Sequence, residues 1–478
     1  MAALAAAGAQ AAPTAAGPAP DLLASVLQVA ARAPALLDAV PVPDTAAVPA
    51  HRSRQLAAAA AGSAITTPPP RLQDEGDTPR AAPSLVSGDR SELHLDLGVQ
   101  ARLFPRTGTL GQDRFQPSLA ARIEYFRDWN DGRDAITVAA FLRADAMDSR
   151  RTHADLREAY YSHIGDDWEL HVGARRVFWG KAESRHLVDV INQVDLIEDL
   201  DEEDRLGQPM VQLVLLRDFG TIELFLLPGA RQRTFPSRDG RLAGPVSIDD
   251  DARFTGGANA LETSWAARWS HFIGDLEIGV AHFSGTAREP AFEVVGPVVP
   301  GVPVRLRPVY ETVARTSLDA QYILGDTALK LELLDRRGQG PRATAFIAGF
   351  EHTLVGAFGG RTDLGLLMEY LHDGRGDRAP VLAFEHDLFV GARLAFNDPA
   401  GSQLLAGVIR DLHTDERIFT VEGSRRLGGA WRLAVDLRVF TGVAATQAGD
   451  VAALSDPDRK LGLLVDDDYL QIELTRYF

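Results

Sequence analysis

The chain has 478 residues, no cysteine and a formal charge of -17, an acidic balance that argues against nucleic acid, whose phosphates call for a basic face. At 45% hydrophobic it is too apolar to be disordered throughout, and the lack of thiols suits export through an oxidising compartment. Beyond the N-terminal region it has no run of the ~18–20 apolar residues that a membrane helix needs, a test that says nothing about transmembrane strands of ~9–11 residues.

Residues 1–90 are rich in Ala and Pro, include Pro68-Pro69-Pro70 and read as a largely disordered arm. Met1–Ala12 looks like the remnant of a signal peptide with Ala9-Gln10-Ala11 as its cleavage site, but a basic n-region is missing. A truncated signal and an accident of alanine-rich sequence both stay open. Asp21–Val40 has apolar residues at helical spacing, interrupted by Pro34, and predicts a short helix.

From Ser91 the pattern changes to period two, the mark of strands with two unlike faces. In Trp431–Phe440, Trp431, Leu433, Val435, Leu437 and Val439 share one face, and Arg432, Ala434, Asp436, Arg438 and Phe440 the other. Strands are expected to begin near Leu93, Phe115, Ala135, Ala154, Trp168, Met210, Thr221, Leu261 and Leu276. Further ones are expected near Leu306, Thr327, Arg342, Thr362, Val381, Gln403, Arg417, Trp431 and Asp467. Tight turns such as Gly165-Asp166-Asp167, Gly274-Asp275 and Gly325-Asp326 alternate with long polar connections such as Gly180–Gln208 and Pro228–Gly257. A soluble sandwich has no reason to sort its connections this way, whereas outer-membrane barrels do. The expected fold is all-β, a transmembrane antiparallel up-and-down β-barrel of about 18 strands, with 16 as the alternative, over residues 91–478. Trp129, Trp168, Phe219, Phe272, Phe358, Phe396, Trp431 and Tyr477 fall near the tight turns, as an aromatic girdle would, although 7% aromatic content is thin for two girdles.

The segment Leu156–Tyr161 is strand-like, and Arg175-Arg176-Val177-Phe178-Trp179-Gly180-Lys181-Ala182-Glu183-Ser184-Arg185 runs on into Val188-Asp189-Val190-Ile191-Asn192-Gln193. Together with Phe389–Asp398, Leu404–Leu412 and Asp468–Phe478, these residues resemble a family of largely uncharacterised Gram-negative outer-membrane porin-like β-barrels. The resemblance implies a barrel and a pore and names no substrate.

Asp189–Asp204 holds eight acids and no Lys or Arg. An acidic loop folded into the lumen against a basic wall would set charge rings of the kind that make pores selective. The candidate constriction therefore comprises Arg175, Arg176, Lys181, Glu183, Arg185, Asp189, Asn192, Asp195, Asp199 and Asp201. An exposed acidic surface loop is the competing reading, and calcium is a weaker third, since the Asp/Asn/Gly spacing of a calcium loop is absent. Candidate lumen-wall residues are Arg122, Glu124, Arg143, Asp145, Arg432, Asp436 and Arg438, of both signs, so strong anion specificity is not indicated. Glu158 breaks the alternation set by Asp155 and Arg157.

The final strand carries Leu470, Ile472, Leu474 and Phe478 in a pattern that resembles the signal read by the barrel-assembly machinery, with Arg476 where an apolar residue is usual. The partners expected are outer-membrane lipid, that machinery and small polar solutes; a homotrimer is left open. No cofactor, metal or catalytic residue is expected: His153, His163, His282, His352 and His386 stand singly, with no Ser and acid at a recognisable spacing. The function these readings favour is passive diffusion of small polar solutes across the outer membrane of a Gram-negative bacterium. A secretion, assembly or structural barrel without open-pore activity and an outer-membrane hydrolase are the alternatives.

Overall fold

A computed structural model describes residues 89–375, 384–454 and 456–478. The expectations for residues 1–88, including the signal remnant and the helix over 21–40, lie outside the described residues. Nine barrel strands come first: Arg90–Leu103, Phe115–Trp129, Asp134–Asp145, His153–Ile164, Trp168–Arg175, Gln208–Arg217, Gly220–Pro228, Thr263–Ile273 and Leu276–Thr286. Nine more follow: Val304–Leu324, Thr327–Arg337, Ala343–Leu354, Asp363–Asp373, His386–Ala395, Gln403–Asp411, Arg417–Leu427, Trp431–Thr441 and Tyr469–Tyr477. Each pairs antiparallel with the next, and the last returns to the first, Leu470 opposite Leu103 and Tyr477 opposite Asp96. The sheet is therefore a closed barrel of 18 strands.

The expected strands are all present. Phe115, Trp168, Leu276, Thr327, Gln403, Arg417 and Trp431 open theirs as read, and the largest offset is His386, against an expected Val381. Short connections at 130–133, 165–167, 218–219, 274–275, 325–326 and 428–430 gather at one end. The opposite end carries the long ones, 176–207, 229–262, 287–303 and 442–468, although 338–342 and 412–416 there are as brief as turns. Arg90, opposite Asp128, places the first strand's start at the short-turn end.

Period-two alternation gives each strand one face inward and one outward. In Thr327–Arg337 the outward Leu329, Leu331 and Leu333 are 43%, 37% and 42% exposed, while Lys330, Glu332 and Arg336 beside them are buried. The exposed Met368 stands beside the buried Glu369 in the same inverted sense, as Val211 stands beside Gln212. A protein surrounded by water reverses this order. A leucine surface around a charged interior suits lipid outside and polar groups within. No helix of the described residues is long and apolar enough to cross a membrane.

Two local features answer irregularities in the sequence. Ala139 pairs with Glu158 and Ala140 with Leu156, which leaves Arg157 as the extra residue of a β-bulge. Arg157 and Glu158 can then both serve the interior, which accounts for the broken alternation there. Arg476 stands on the outward face, its guanidinium 5.4 Å from the ring centre of Trp431 and 4.7 Å from that of Phe478. At the short-turn end a cation between two aromatic rings is well placed, its stem along the apolar surface and its head at the edge.

The interior has cores of its own. Trp179, Val188, Val190 and Ile191 pack against Met210, Phe225, Leu227, Phe283 and Val313 of the wall. Ala182 packs with Ile347, Leu367, Leu371, Phe389 and Leu405. Residues 176–207 thus supply one side of each cluster.

Candidate functional site

The connection 176–207 turns into the barrel. Two glycines permit its close approach to the wall. A Cβ on Gly180 would stand 2.8 Å from His186 Nδ1 and 3.1 Å from Glu332 Oε1, and one on Gly207 would meet the Arg157 carbonyl oxygen at 2.2 Å. Asn192 ties the neck between them. Its amide donates to the carbonyls of Arg175 and Leu206, each at 2.9 Å, and its oxygen accepts the Val177 N–H at 2.9 Å.

The first half of the loop is held through its backbone. Glu332 Oε1 accepts the N–H groups of Lys181 at 2.6 Å and Ala182 at 2.9 Å, and Oε2 that of Leu187 at 2.7 Å. Glu369 accepts the N–H groups of Glu183 at 2.6 Å and Ser184 at 2.8 Å. The loop side chains answer in kind: Lys181 Nζ lies 2.6 Å from Glu277, and Glu183 pairs with Arg393. Two wall carboxylates inside a barrel would be costly alone, and five amide donors satisfy them.

The second half is held through its acids. Asp195 meets Arg157 at 2.6 Å and accepts from the Thr234 hydroxyl at 2.6 Å. Glu198 meets Arg143 at 2.8 Å and His153 at 2.9 Å, and Arg151 Nε donates to the Ile197 carbonyl at 2.9 Å. Arg438 faces Asp201 at 3.1 Å and Asp199 at 3.7 Å, Arg102 lies 3.5 Å from Asp199, and the Tyr469 hydroxyl donates to Asp199 at 3.3 Å. Asp189 turns back onto Arg205 of the same loop at 3.2 Å.

Burial and opposed charge set the acidities along this row. Burial and the neighbouring Asp199 push the Asp201 carboxyl well above its ordinary value. Burial acts on Asp199 in the same direction, but Arg438 and Arg102 pull it below. Burial and Glu198 push Asp204 up to about 7. Glu198 is itself buried, yet Arg143, His153 and Arg151 hold it well below the carboxylate range.

The ten loop and neck residues singled out by charge pattern are divided among several walls. Arg175 hydrogen-bonds Gln212 and stacks over Tyr160, and Arg176 lies 3.8 Å from Glu158. Arg185 reaches Glu202 at 3.2 Å and Glu289 at 4.0 Å. The guanidiniums that meet Asp195, Glu198, Asp199 and Asp201 are Arg157, Arg143, Arg102 and Arg438, of which the sequence reading named Arg143 and Arg438 as wall residues. On the same inward faces, Arg122 stacks over Phe141, Asp145 binds Arg151 at 2.7 Å, Asp436 lies 3.5 Å from Arg438, and Arg432 is buried. Glu124 shares the inward face of its strand with Arg122. Leu470, Ile472 and Leu474 share the outward face of the last strand, and Phe478 is exposed.

Glu332, Glu369, Arg102, Arg151 and the pair Arg268–Asp319, joined at 2.6 and 2.9 Å, are further interior residues that no motif announced. The signal available was a charged residue on the face opposite a row of leucines, as in Leu329–Leu334. Among the described residues no group of three or more His, Asp or Glu is arranged to hold a metal ion. His171 lies 3.1 Å from the Ser162 hydroxyl and 3.2 Å from Glu169, a hydroxyl, imidazole and carboxylate brought together across two strands. Ser162 lies opposite Ala135 on one neighbouring strand and His171 on the other.

No family model matches the sequence, and a search of curated proteins finds no relative. Among solved structures, the fold is similar to OccD3 (OpdP) of Pseudomonas aeruginosa, at 10% identity over 83% of this chain and 92% of that one, with a TM-score of 0.45. It is also similar to a BenF-like porin of Pseudomonas fluorescens Pf-5, at 9% identity over 83% and 99% with a TM-score of 0.47. The outer-membrane protein OmpT of Vibrio cholerae, in its trimer form, aligns at 10% identity over 82% and 99% with a TM-score of 0.41.

Proposed function

We propose that the chain is a Gram-negative outer-membrane channel through which small polar solutes diffuse passively, with the loop over 180–208 narrowing its lumen. The observation that carries this reading is a loop seated inside a closed barrel whose inner face is charged and whose outer face is leucine-rich. A barrel of 18 strands is in the size range that leaves an aqueous channel unless something occupies it. The loop is such an occupant, and its anchoring on several walls makes it a fixed constriction. The outward Leu470, Ile472 and Leu474, followed by Phe478, support delivery by the barrel-assembly machinery.

Single-channel conductance in a planar bilayer tests the reading. Wild type is expected to conduct, and the triple variant Asp195→Asn, Asp199→Asn, Asp201→Asn to shift its reversal potential toward anions, because Arg157 and Arg438 each lose the counter-charge that the loop supplies. A closed trace at every voltage, with no solute uptake by liposomes, would overturn the channel in favour of a non-conducting barrel. An unchanged ion preference in a conducting variant would place the acids outside the path.

A further inference from the structure

Arg315 and Arg336 are cross-strand neighbours on the inward face, each 7% exposed. Around them, three guanidiniums share two carboxylates. Arg336 lies 3.4 Å from Glu289 and 3.6 Å from Asp373, Arg375 lies 2.9 Å and 2.6 Å from the same two acids, and Arg185 reaches Glu289 at 4.0 Å. Burial pushes the Glu289 carboxyl up, and Arg375, Arg336 and Arg185 pull it well below its ordinary range. Glu289 attracts Arg315 as well.

Arg315 is a buried cation whose Nε and Nη2 have no hydrogen-bond acceptor among the described residues, and the same holds for the Nε of Arg336 beside it. Burying guanidinium N–H groups without acceptors is expensive, and a native protein keeps them where something else supplies the acceptor. Nε and Nη2 form one edge of the guanidinium plane, the edge that takes two oxygens side by side. Arg336, on the neighbouring strand directly opposite, has a further buried N–H, at Nε, without an acceptor among the described residues. A carboxylate offers two oxygens in one plane, whereas a tetrahedral oxyanion offers four in three dimensions.

We propose that Arg315 and Arg336 form a subsite for a tetrahedral oxyanion of the phosphate type on the inner wall. The site goes beyond the channel reading, since an anion would bind there whether or not the barrel conducts.

Thermal unfolding of the full chain in detergent, followed by the loss of its folded band on an unboiled gel, provides the test. Chloride keeps the ionic strength constant, and inorganic phosphate and acetate are compared. Phosphate is expected to raise the wild-type Tm by several degrees, and acetate to do much less. Arg315→Met, which removes the buried charge, is expected to melt no lower than wild type in chloride and to gain nothing from phosphate. Should Arg315→Met fail to assemble, Arg315→Lys keeps the charge without the planar edge, and its apparent phosphate affinity is expected to be roughly tenfold weaker than that of wild type. A wild-type Tm indifferent to phosphate overturns the subsite, as does an undiminished phosphate gain in either variant. An acetate effect equal to that of phosphate overturns the tetrahedral assignment.

Discussion

Glu332 Oε1 accepts the backbone N–H of Ala182 at 2.9 Å, so a charged wall residue is satisfied by the main chain of the inserted loop. The same carboxylate takes Lys181 and Leu187, which makes it the first anchor of the loop. Glu332→Ala leaves those amides buried without acceptors and is expected to destabilise the barrel by about 3–5 kcal/mol. Glu332→Gln keeps one acceptor and is expected to cost about half as much. Hydrogen exchange should show the amides of 181–188 opening in the alanine variant, and unchanged protection there would disprove the anchoring.

Arg268 and Asp319 form a two-pronged ion pair at 2.6 and 2.9 Å, with Asp319 fully buried. Asp319→Ala leaves the buried Arg268 with Glu223 at 4.0 Å as its remaining ion-pair partner among the described residues, and a loss of about 3–5 kcal/mol is expected from the denaturant midpoint of the folded band. Replacing both residues by apolar ones of similar size should recover most of that loss, since the penalty lies in the poorly paired charge. A double variant as weak as the single one would refute this account.

The pH dependence of the loop follows from Asp204, raised to about 7 by burial and Glu198, with Asp195 acting in the same sense and Arg157 and Arg122 against it. A carboxyl raised in the folded state stabilises that state fully below its ordinary value and loses the contribution as pH rises through about 7. Glu198 runs the other way: its contribution is present above its ordinary value and is lost only as pH falls further. Between about pH 5 and 8 the amides of 194–206 should therefore become less protected as pH rises, after correction for intrinsic exchange. Asp204→Asn should weaken that trend, leaving the part that Asp201 contributes in the same sense. Protection that increases with pH in wild type would contradict the assignment.

Leu331 stands mid-strand on the outward face, 37% exposed. Leu331→Arg is expected to destabilise the bilayer-inserted barrel by about 2–4 kcal/mol, a cost that water around the same position would not impose. A variant that refolds into liposomes as readily as wild type would place this face away from lipid.

Strands were legible wherever one face was uniformly apolar, as in Trp431–Thr441 and Thr327–Arg337, because alternation records the two environments residue by residue. The acid run from Asp189 to Asp204 was equally plain, yet it fits a solvated loop as well as an inserted one. What distinguishes the two is the identity of the partners. Glu332 and Glu369 lie more than a hundred residues further along the chain than the amides they accept, and Arg102 and Arg438 stand near opposite ends of the barrel sequence. A main-chain N–H has no letter of its own, so a carboxylate held by amides leaves no motif. The trio Ser162, Glu169 and His171 was hidden for a related reason, being assembled by cross-strand register.

The bulge at Arg157 bears on how this barrel can change over time. One extra residue lets neighbouring positions serve the interior, Arg157 binding Asp195 deep in the loop and Glu158 accepting the N–H of Arg176 where the loop departs. Loss of that single residue would restore strict alternation, and the segment could then keep only one of the two moorings facing inward. The length of this strand is thus bound to the presence of the inserted loop: a lineage that trims one should be found to have rebuilt the other.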